Sequence, residues 1–498
     1  MLNKLLFRVL FFILLPIAGW IIWNTLYENK QNLPQTQSEF FGVGITRSSP
    51  DDALKPVARE ESELKNKSSR NGLRNSTNDT YAFYLTRPSH PYNCSAIIRG
   101  SRYEIRHAER HYVPHNYVPP HQWIRDNCAQ LTLTRESLAL LEAESQFPLA
   151  FVVLIYNDWE IFAKLLKLIY RSWNYYCIHV DQKVSTNYFA ATRTLIDSCY
   201  NESNSHLFIS SHRYSVTWGE ISVLNAAMSC LNKLVNITQP SLNHETRKTS
   251  ISNARKQSIN LKDGYQLSAK PAWKYLFIIS GSDLPLQPNA VIIDRLASLN
   301  GQSVVQVFGR DPSPWRYKNR FPNGSSFDAV LSVLNSTQKQ KYSKPDPPYN
   351  LTIRKGSYSV TLSWNFARFI AYSDMAKQLL QYLSDVFVPD EYYWSTLYHS
   401  YYRQRERLNA TQNSANQRRN LSGVQTRFTH WAGSEPICGG VYRRGLCNIG
   451  LSDLRWLLRI DNSFFAHKFN RDVQPVTVDC FEEYMLNQTF LHRQRMFA

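Results

Sequence analysis

No D-x-D triplet, G-x-G-x-x-G turn, P-loop or C-x-x-C pair occurs in this 498-residue chain, and no internal repeat. Without the glycine-rich turn or the P-loop there is no recognisable backbone cradle for a dinucleotide or a nucleoside triphosphate. Without D-x-D, a divalent ion has no obvious carboxylate ligands, so charge on a bound diphosphate falls to fixed cations. Eight cysteines with no pair or cysteine and histidine cluster at ligand spacing leave zinc without a site and point to disulfides. Acidic side chains are in the minority, 39 Asp and Glu against 57 Lys and Arg, for a formal net charge of +18. The basic residues are spread along the chain and gather in polar stretches such as Arg247 to Lys270 and Arg403 to Arg419. No nucleic-acid motif accompanies them, so nucleic acid is not an expected partner; a solvated basic face, or one that attracts anionic donors or acidic glycans, is.

What is present begins at the N-terminus. Lys4 and Arg8 precede an uncharged, mostly apolar run from Val9 to Trp23, and Glu28 soon follows it. Counted from Leu5 the segment reaches about 19 residues, close to the roughly 20 that span a bilayer. It ends in Trp20, Ile21, Ile22 and Trp23 with no small-x-small cleavage site after it, which favours an uncleaved anchor over a signal peptide. The basic flank places residues 1–4 in the cytoplasm, 5–23 in the membrane and everything after Trp23 in a lumen. Residues 24–90 are polar, with little apolar periodicity, and read as a stem. Glycosylation sequons from Asn66 to Asn487 and the even cysteine count agree with an oxidising, lumenal setting for residues 91–498.

Within that part the pattern is α/β. Leu149 to Ile155 is a continuous apolar run suited to a buried strand, Ile161 to Tyr170 has helical spacing, and Tyr175 to Val180 is a second strand ending in Asp181. Strand, helix, strand and acid fall in the order of a βαβ nucleotide-binding unit, with Asp181 at the carboxyl end where ligands gather. Leu207 to Ser210 reads as a short strand. Ile221, Leu224, Met228, Leu231 and Leu234 line a helical face, and Tyr275 to Ile279 resumes as a strand before the turn Ser280 to Pro285. The alternation predicts a mainly parallel sheet covered on both faces, interrupted by polar inserts at 239–270 and 403–419.

The run Val388-Pro389-Asp390-Glu391-Tyr392-Tyr393-Trp394 carries chemistry. A carboxylate held ready as a general base strips a proton from a sugar hydroxyl, and neighbouring aromatics cover a pyranose face while excluding water. Glu391 is the candidate base. The competing reading has Pro389 and Asp390 start a helix, with Asp390 capping it and the aromatics in the core. For a diphosphate, Arg443 and Arg444 lie inside the short Cys438 to Cys447 loop, and Lys468 follows in Phe464 to Phe469.

These segments resemble the core 2 and I-branching β-1,6-N-acetylglucosaminyltransferases, with peptide O-xylosyltransferases as more distant relatives. The likeness runs from about Cys94 to Met485 and rests on the residues already quoted, together with Phe147-Pro148-Leu149-Ala150, Trp273-Lys274-Tyr275 and Asp453-Leu454-Arg455-Trp456. It implies a Golgi type II membrane protein with a GT-A-like single catalytic domain and a Rossmann-like sheet, inverting and independent of metal. No cofactor is then expected beyond UDP-GlcNAc as donor substrate, with an O-glycan or glycoprotein acceptor as partner. On this analogy Glu391 deprotonates a 6-hydroxyl, Arg444 and Lys468 take the diphosphate charge, and Asp181 sits by the nucleoside. The acceptor meets Asp283, Gln306 and Trp431. The implied disulfides are Cys94 with Cys480, Cys128 with Cys199, Cys177 with Cys230, and Cys438 with Cys447. The chain departs from the pattern where the acceptor binds: Gln306 stands where a glutamate is expected, Pro314 where basic residues precede the tryptophan at 315, and Gly433 where a second aromatic follows Trp431. The alternatives are a family transferase with another donor or linkage, such as xylose to a protein serine, and a silent glycan-binding membrane protein.

Overall fold

The computed structural model describes residues 92–110, 118–200, 206–237, 272–309, 311–321, 327–336, 339–408 and 423–497. All of these belong to one compact unit, Asn75–Ala498. The expected tail, anchor and stem lie outside the described residues, as does the insert 239–270. No helix among the described residues is long and apolar enough to cross a membrane.

Strands β1 (Leu149–Ile155), β2 (Tyr175–Val180), β3 (His206–Ile209), β4 (Tyr275–Ser280), β5 (Leu284–Pro285) and β6 (Val360–Ser363) follow in chain order. Five of them form the central sheet in the order β3-β2-β1-β4-β6. The first four run parallel, and β6 closes the edge antiparallel to β4. A strand flanked on both sides and covered on both faces has no polar side, which is why β1 reads as LAFVVLI. Its alternation still shows in the packing. Leu149, Phe151, Val153 and Ile155 enter one core, while Ala150 and Val152 enter the other.

Helices α1 (Trp159–Ile169) and α2 (Thr186–Cys199) and the C-terminal α6 (Pro475–Phe497) supply the first core through Phe162, Leu195 and Phe481. The second core takes Leu231 of α3 (Ser222–Ile237), Phe366 of α4 (Trp364–Tyr372) and Leu397 of α5 (Asp390–Leu408). Each such fully buried side chain contributes about 1.5–3 kcal/mol. The mainly parallel α/β architecture is the one the alternating pattern predicts. Two boundaries differ. The helix expected from Ile161 begins at Trp159, and α5 continues to Leu408, so the polar stretch expected as an insert from Arg403 opens as helix.

A smaller sheet pairs β5 antiparallel with β10 (Ser463–His467), which runs parallel to β7 (Gln425–Thr429). Beside it lies the hairpin of β8 (Val441–Arg443) and β9 (Leu446–Asn448). Disulfides join Cys94 to Cys480, Cys128 to Cys199, Cys177 to Cys230 and Cys438 to Cys447, the pairing that the resemblance implies. The third pins α3 to β2, and the fourth braces the hairpin.

Candidate active site

Glu391 lies in the first turn of α5, where the positive end of the helix dipole favours a carboxylate. The chain enters this turn through Val388 at φ 57°, a left-handed conformation that costs a β-branched residue energy, held by a bond from its amide to the Gly219 carbonyl at 2.8 Å. Both cations near Glu391 approach the same oxygen: Arg316 Nη1 at 2.9 Å and Lys355 Nζ at 3.3 Å from Oε2. No described residue bonds Oε1, and the side chain is 32% exposed. Arg316 is in turn held over the rings of Trp315 and Phe387.

The rest of the heptad faces away from the cleft. Tyr392, Tyr393 and Trp394 are wholly buried in the second core, so the expectation that they cover a sugar is corrected. Helical geometry turns them inward while Glu391 stays at the surface. Asp390 is the first helical residue and not a cap. It is buried with Oδ1 unpartnered, and burial and the adjacent Glu391 charge push its carboxyl up to about 7.

Lys355 reaches Glu391 because Gly356 allows a close approach. A Cβ there would meet the Gln306 carbonyl oxygen at 2.1 Å and Ser395 Cβ at 2.8 Å. The Gly356 amide also donates to the Glu391 carbonyl at 2.7 Å. Bridges Val304 to Thr361 and Val307 to Gly356 hold the Gln306 segment alongside, so Gln306 and Glu391 flank one backbone turn.

Asp181 follows β2 directly, buried, accepting from the Lys183 amide at 2.8 Å and the Val216 amide at 3.2 Å. The same loop later supplies the Gly219 carbonyl to Val388, so residues 214–219 are tied to Asp181 at one end and to the turn before Glu391 at the other. His179 Nε2 accepts from the Tyr214 amide, and burial pushes the imidazole down to about 4, so it is neutral.

A second cluster gathers where β1, β4, β10 and the hairpin meet. Arg444 and Gly445, both at positive φ, form the two-residue turn between β8 and β9, a type I′ geometry that matches hairpin twist. Arg443 and Arg444 are exposed. Lys468, just after β10, is half-buried; burial and these two guanidinium groups push its ammonium below the ordinary range against the pull of Asp158 and Asp283. Asp158 follows β1. It is 4% exposed, its side chain makes no capping bond at the start of α1, and burial and Asp472 push it up to about 6.

Asp283, expected at the acceptor, is wholly enclosed. Its carboxylate accepts from His467 at 2.6 Å and from the Ser280 amide at 2.8 Å, with Arg427 at 3.8 Å. Burial alone would raise it, but Arg427 and His467 hold it below the usual carboxylate range. Asp283 thus lies enclosed beneath the Lys468 turn, where the Phe469 amide bonds the Ser282 carbonyl. Trp431 is 54% exposed and bridges to Leu446, with Ala432 bonding Gly445, so its described contacts are with the Arg444 hairpin.

The expected residues thus fall into three groups: Glu391 with Gln306, Asp181 on its loop, and Lys468 with Arg444 and the neighbouring Trp431. Sequence reasoning missed Arg316, Lys355 and Asp158. Only Asp158 carried a signal, its place at the carboxyl end of a parallel strand. One group of acids and thiols has metal-ligand spacing among the described residues, Cys438, Cys447 and Asp453, and both of its thiols are in a disulfide.

Residues 149–240 and 264–458 match the family model for the core-2/I-branching enzyme. The chain belongs to that family. It is 30% identical over 357 residues to the mouse N-acetyllactosaminide β-1,6-N-acetylglucosaminyl-transferase, covering 70% of this chain and 76% of that protein. It is 27% identical over 422 residues to the human β-1,3-galactosyl-O-glycosyl-glycoprotein β-1,6-N-acetylglucosaminyltransferase, covering 80% and 86%. A zebrafish relative named as the fourth enzyme of the latter kind is 29% identical over 350 residues, 69% of this chain and 70% of its own.

Proposed function

We propose that the chain is an inverting β-1,6-N-acetylglucosaminyltransferase that moves GlcNAc from UDP-GlcNAc to the 6-hydroxyl of an O-glycan sugar without a metal. The observation that carries this reading is the divided carboxylate of Glu391. Oε2 is held by Arg316 and Lys355, which fixes the group, and Oε1 is left to accept a proton. In the reaction the acceptor hydroxyl gives its proton to Oε1 as its oxygen forms a bond to the anomeric carbon from the face opposite the leaving group. The bond from that carbon to the diphosphate oxygen breaks, and its electron pair leaves with UDP. Lys468, Arg443 and Arg444 offset the developing charge, the task a metal ion performs elsewhere. Asp181 and its loop receive the nucleoside, following the rule that ligands bind at the carboxyl ends of parallel strands. Gln306 and Trp431 line the acceptor side on this reading. Residues 5–23 anchor the protein in the Golgi membrane with the catalytic domain lumenal, a setting that the disulfides and sequons support.

The test is transfer by the full-length protein in detergent and EDTA, with a panel of UDP-sugars against core 1, core 3, poly-N-acetyllactosamine and serine-peptide acceptors. GlcNAc on a 6-hydroxyl in EDTA is the expected product. Xylose on the serine peptide, or a strict metal requirement, would refute the proposal.

A further inference from the structure

Positive charge around the base exceeds what the base needs. Lys355 has three N–H donors and, among the described residues, Glu391 as its ion-pair partner. Arg316 gives Nη1 to the same oxygen, and its Nε is buried with no hydrogen-bond partner. The adjoining Arg354 also has a buried, unpartnered Nε. Two cations therefore share one oxygen of Glu391, with Arg354 next to Lys355 in the chain. Of the other acids nearby, Asp311 is turned to the Tyr392 hydroxyl at 2.9 Å and the Ser313 amide at 2.9 Å and pairs with neither Arg316 nor Lys355 among the described contacts, and Asp390 is enclosed in the core. Residue 306 could have supplied a counter-charge. Its segment runs beside Lys355, with the Phe308 amide bonding the Lys355 carbonyl at 2.8 Å, but it is a neutral glutamine. A neutral sugar offers the spare donors of Lys355 and Arg316 only hydroxyls, whereas an anionic group on the acceptor meets them with charge.

We propose that this site selects acceptors bearing an anionic substituent, a carboxylate or a sulfate, which Arg316 and Lys355 bind beside the base. The inference rests on the transferase reading above and names its acceptor class. An anion bound there also draws Lys355 away from Glu391 Oε2. The carboxylate then keeps one cation in place of two and becomes the stronger proton acceptor when the hydroxyl is seated.

Three acceptors matched in their sugar skeleton test this with UDP-GlcNAc and the full-length protein: one neutral, one carrying a uronic carboxylate, one a sulfate ester. At low salt the better anionic acceptor is expected to exceed the neutral one in kcat/KM by about tenfold or more, with the gap narrowing as ionic strength rises. The carboxylate and sulfate arms show which anion is read. Gln306→Glu places the missing acid beside Lys355 and should bring the ratio towards one, with UDP affinity by calorimetry showing that the variant is folded. A neutral acceptor used as well as either anionic one, or a ratio that Gln306→Glu leaves unchanged, overturns the inference alone. Failure of all three acceptors, with the core acceptors also unused, overturns the transferase reading and this inference with it.

Discussion

Two glutamates in this molecule each sit between two cations, and they differ in almost everything else. Glu482 on α6 is 8% exposed in its side chain, and its two oxygens are divided between Lys164 and Lys167 of α1, the latter at 3.0 Å. Asp479 and Glu160 balance the remaining charge, with Arg471 bridging them. Glu391 is 32% exposed and has both cations on one oxygen, while no described residue bonds the other. The first arrangement satisfies every lone pair within reach and locks two helices together. The second leaves one acceptor unmatched at the surface, which stabilises little and is what proton transfer requires.

The comparison is broken most severely at its buried member. Glu482→Gln leaves Lys167 enclosed without its ion-pair partner and takes from Lys164 the nearest of its acids, and is expected to cost about 3–5 kcal/mol, read as a loss of denaturation midpoint, with activity retained per folded molecule. Burial opposes ionisation of Glu482, but Lys164 and Lys167 outweigh it and hold the carboxyl down to about 2 from 4.5. Its folded value is depressed, so the stabilisation is present above about pH 4.5 and is lost as pH falls towards 2; a stability profile in acid should show that slope in the native chain and not in the variant.

Asp390 sharpens the contrast from the other direction, being a carboxyl beside Glu391 with no ion-pair partner among the described residues. Its folded value of about 7 exceeds the ordinary 3.8. The unfolded chain therefore loses this proton first, and the folded state is penalised progressively from about pH 4 to 7 and fully above. Asp390→Asn removes that penalty and should stabilise the protein at pH 8 by on the order of 2–4 kcal/mol, with no gain at pH 4.

The mildest change acts on orientation. Arg316→Ala frees one side of Glu391 and is expected to lower kcat about tenfold to hundredfold with UDP affinity unaltered, since a misplaced base loses rate and not donor binding. A loss confined to KM for UDP-GlcNAc would assign Arg316 to the donor instead.

The difference between the two glutamates also marks how far the sequence could be read. β1, β2 and β4 were legible because strands buried on both faces are written as unbroken apolar runs, and Asp181 because it closes one of them. Glu391 was legible as a carboxylate at a helix start. The partners that give it a role were not: Arg316 is 75 residues away, and only the packing of Gly356 between Gln306 and Ser395 brings Lys355 near. Local pattern could not tell rings that cover a sugar from rings that fill a core, and Tyr392, Tyr393 and Trp394 proved to be the latter. Asp283 looked like a turn residue open to substrate because nothing nearby in sequence announces His467 and Arg427.

The most direct measurement is the rate of GlcNAc transfer by Glu391→Gln compared with the native chain, at saturating UDP-GlcNAc in EDTA, with UDP affinity determined on both. The account predicts a loss in kcat of about 10²–10⁴-fold with UDP affinity and thermal stability unchanged, because the amide keeps the shape of the base and cannot take the proton. Transfer within a few fold of the native rate would contradict it and move the base to another residue.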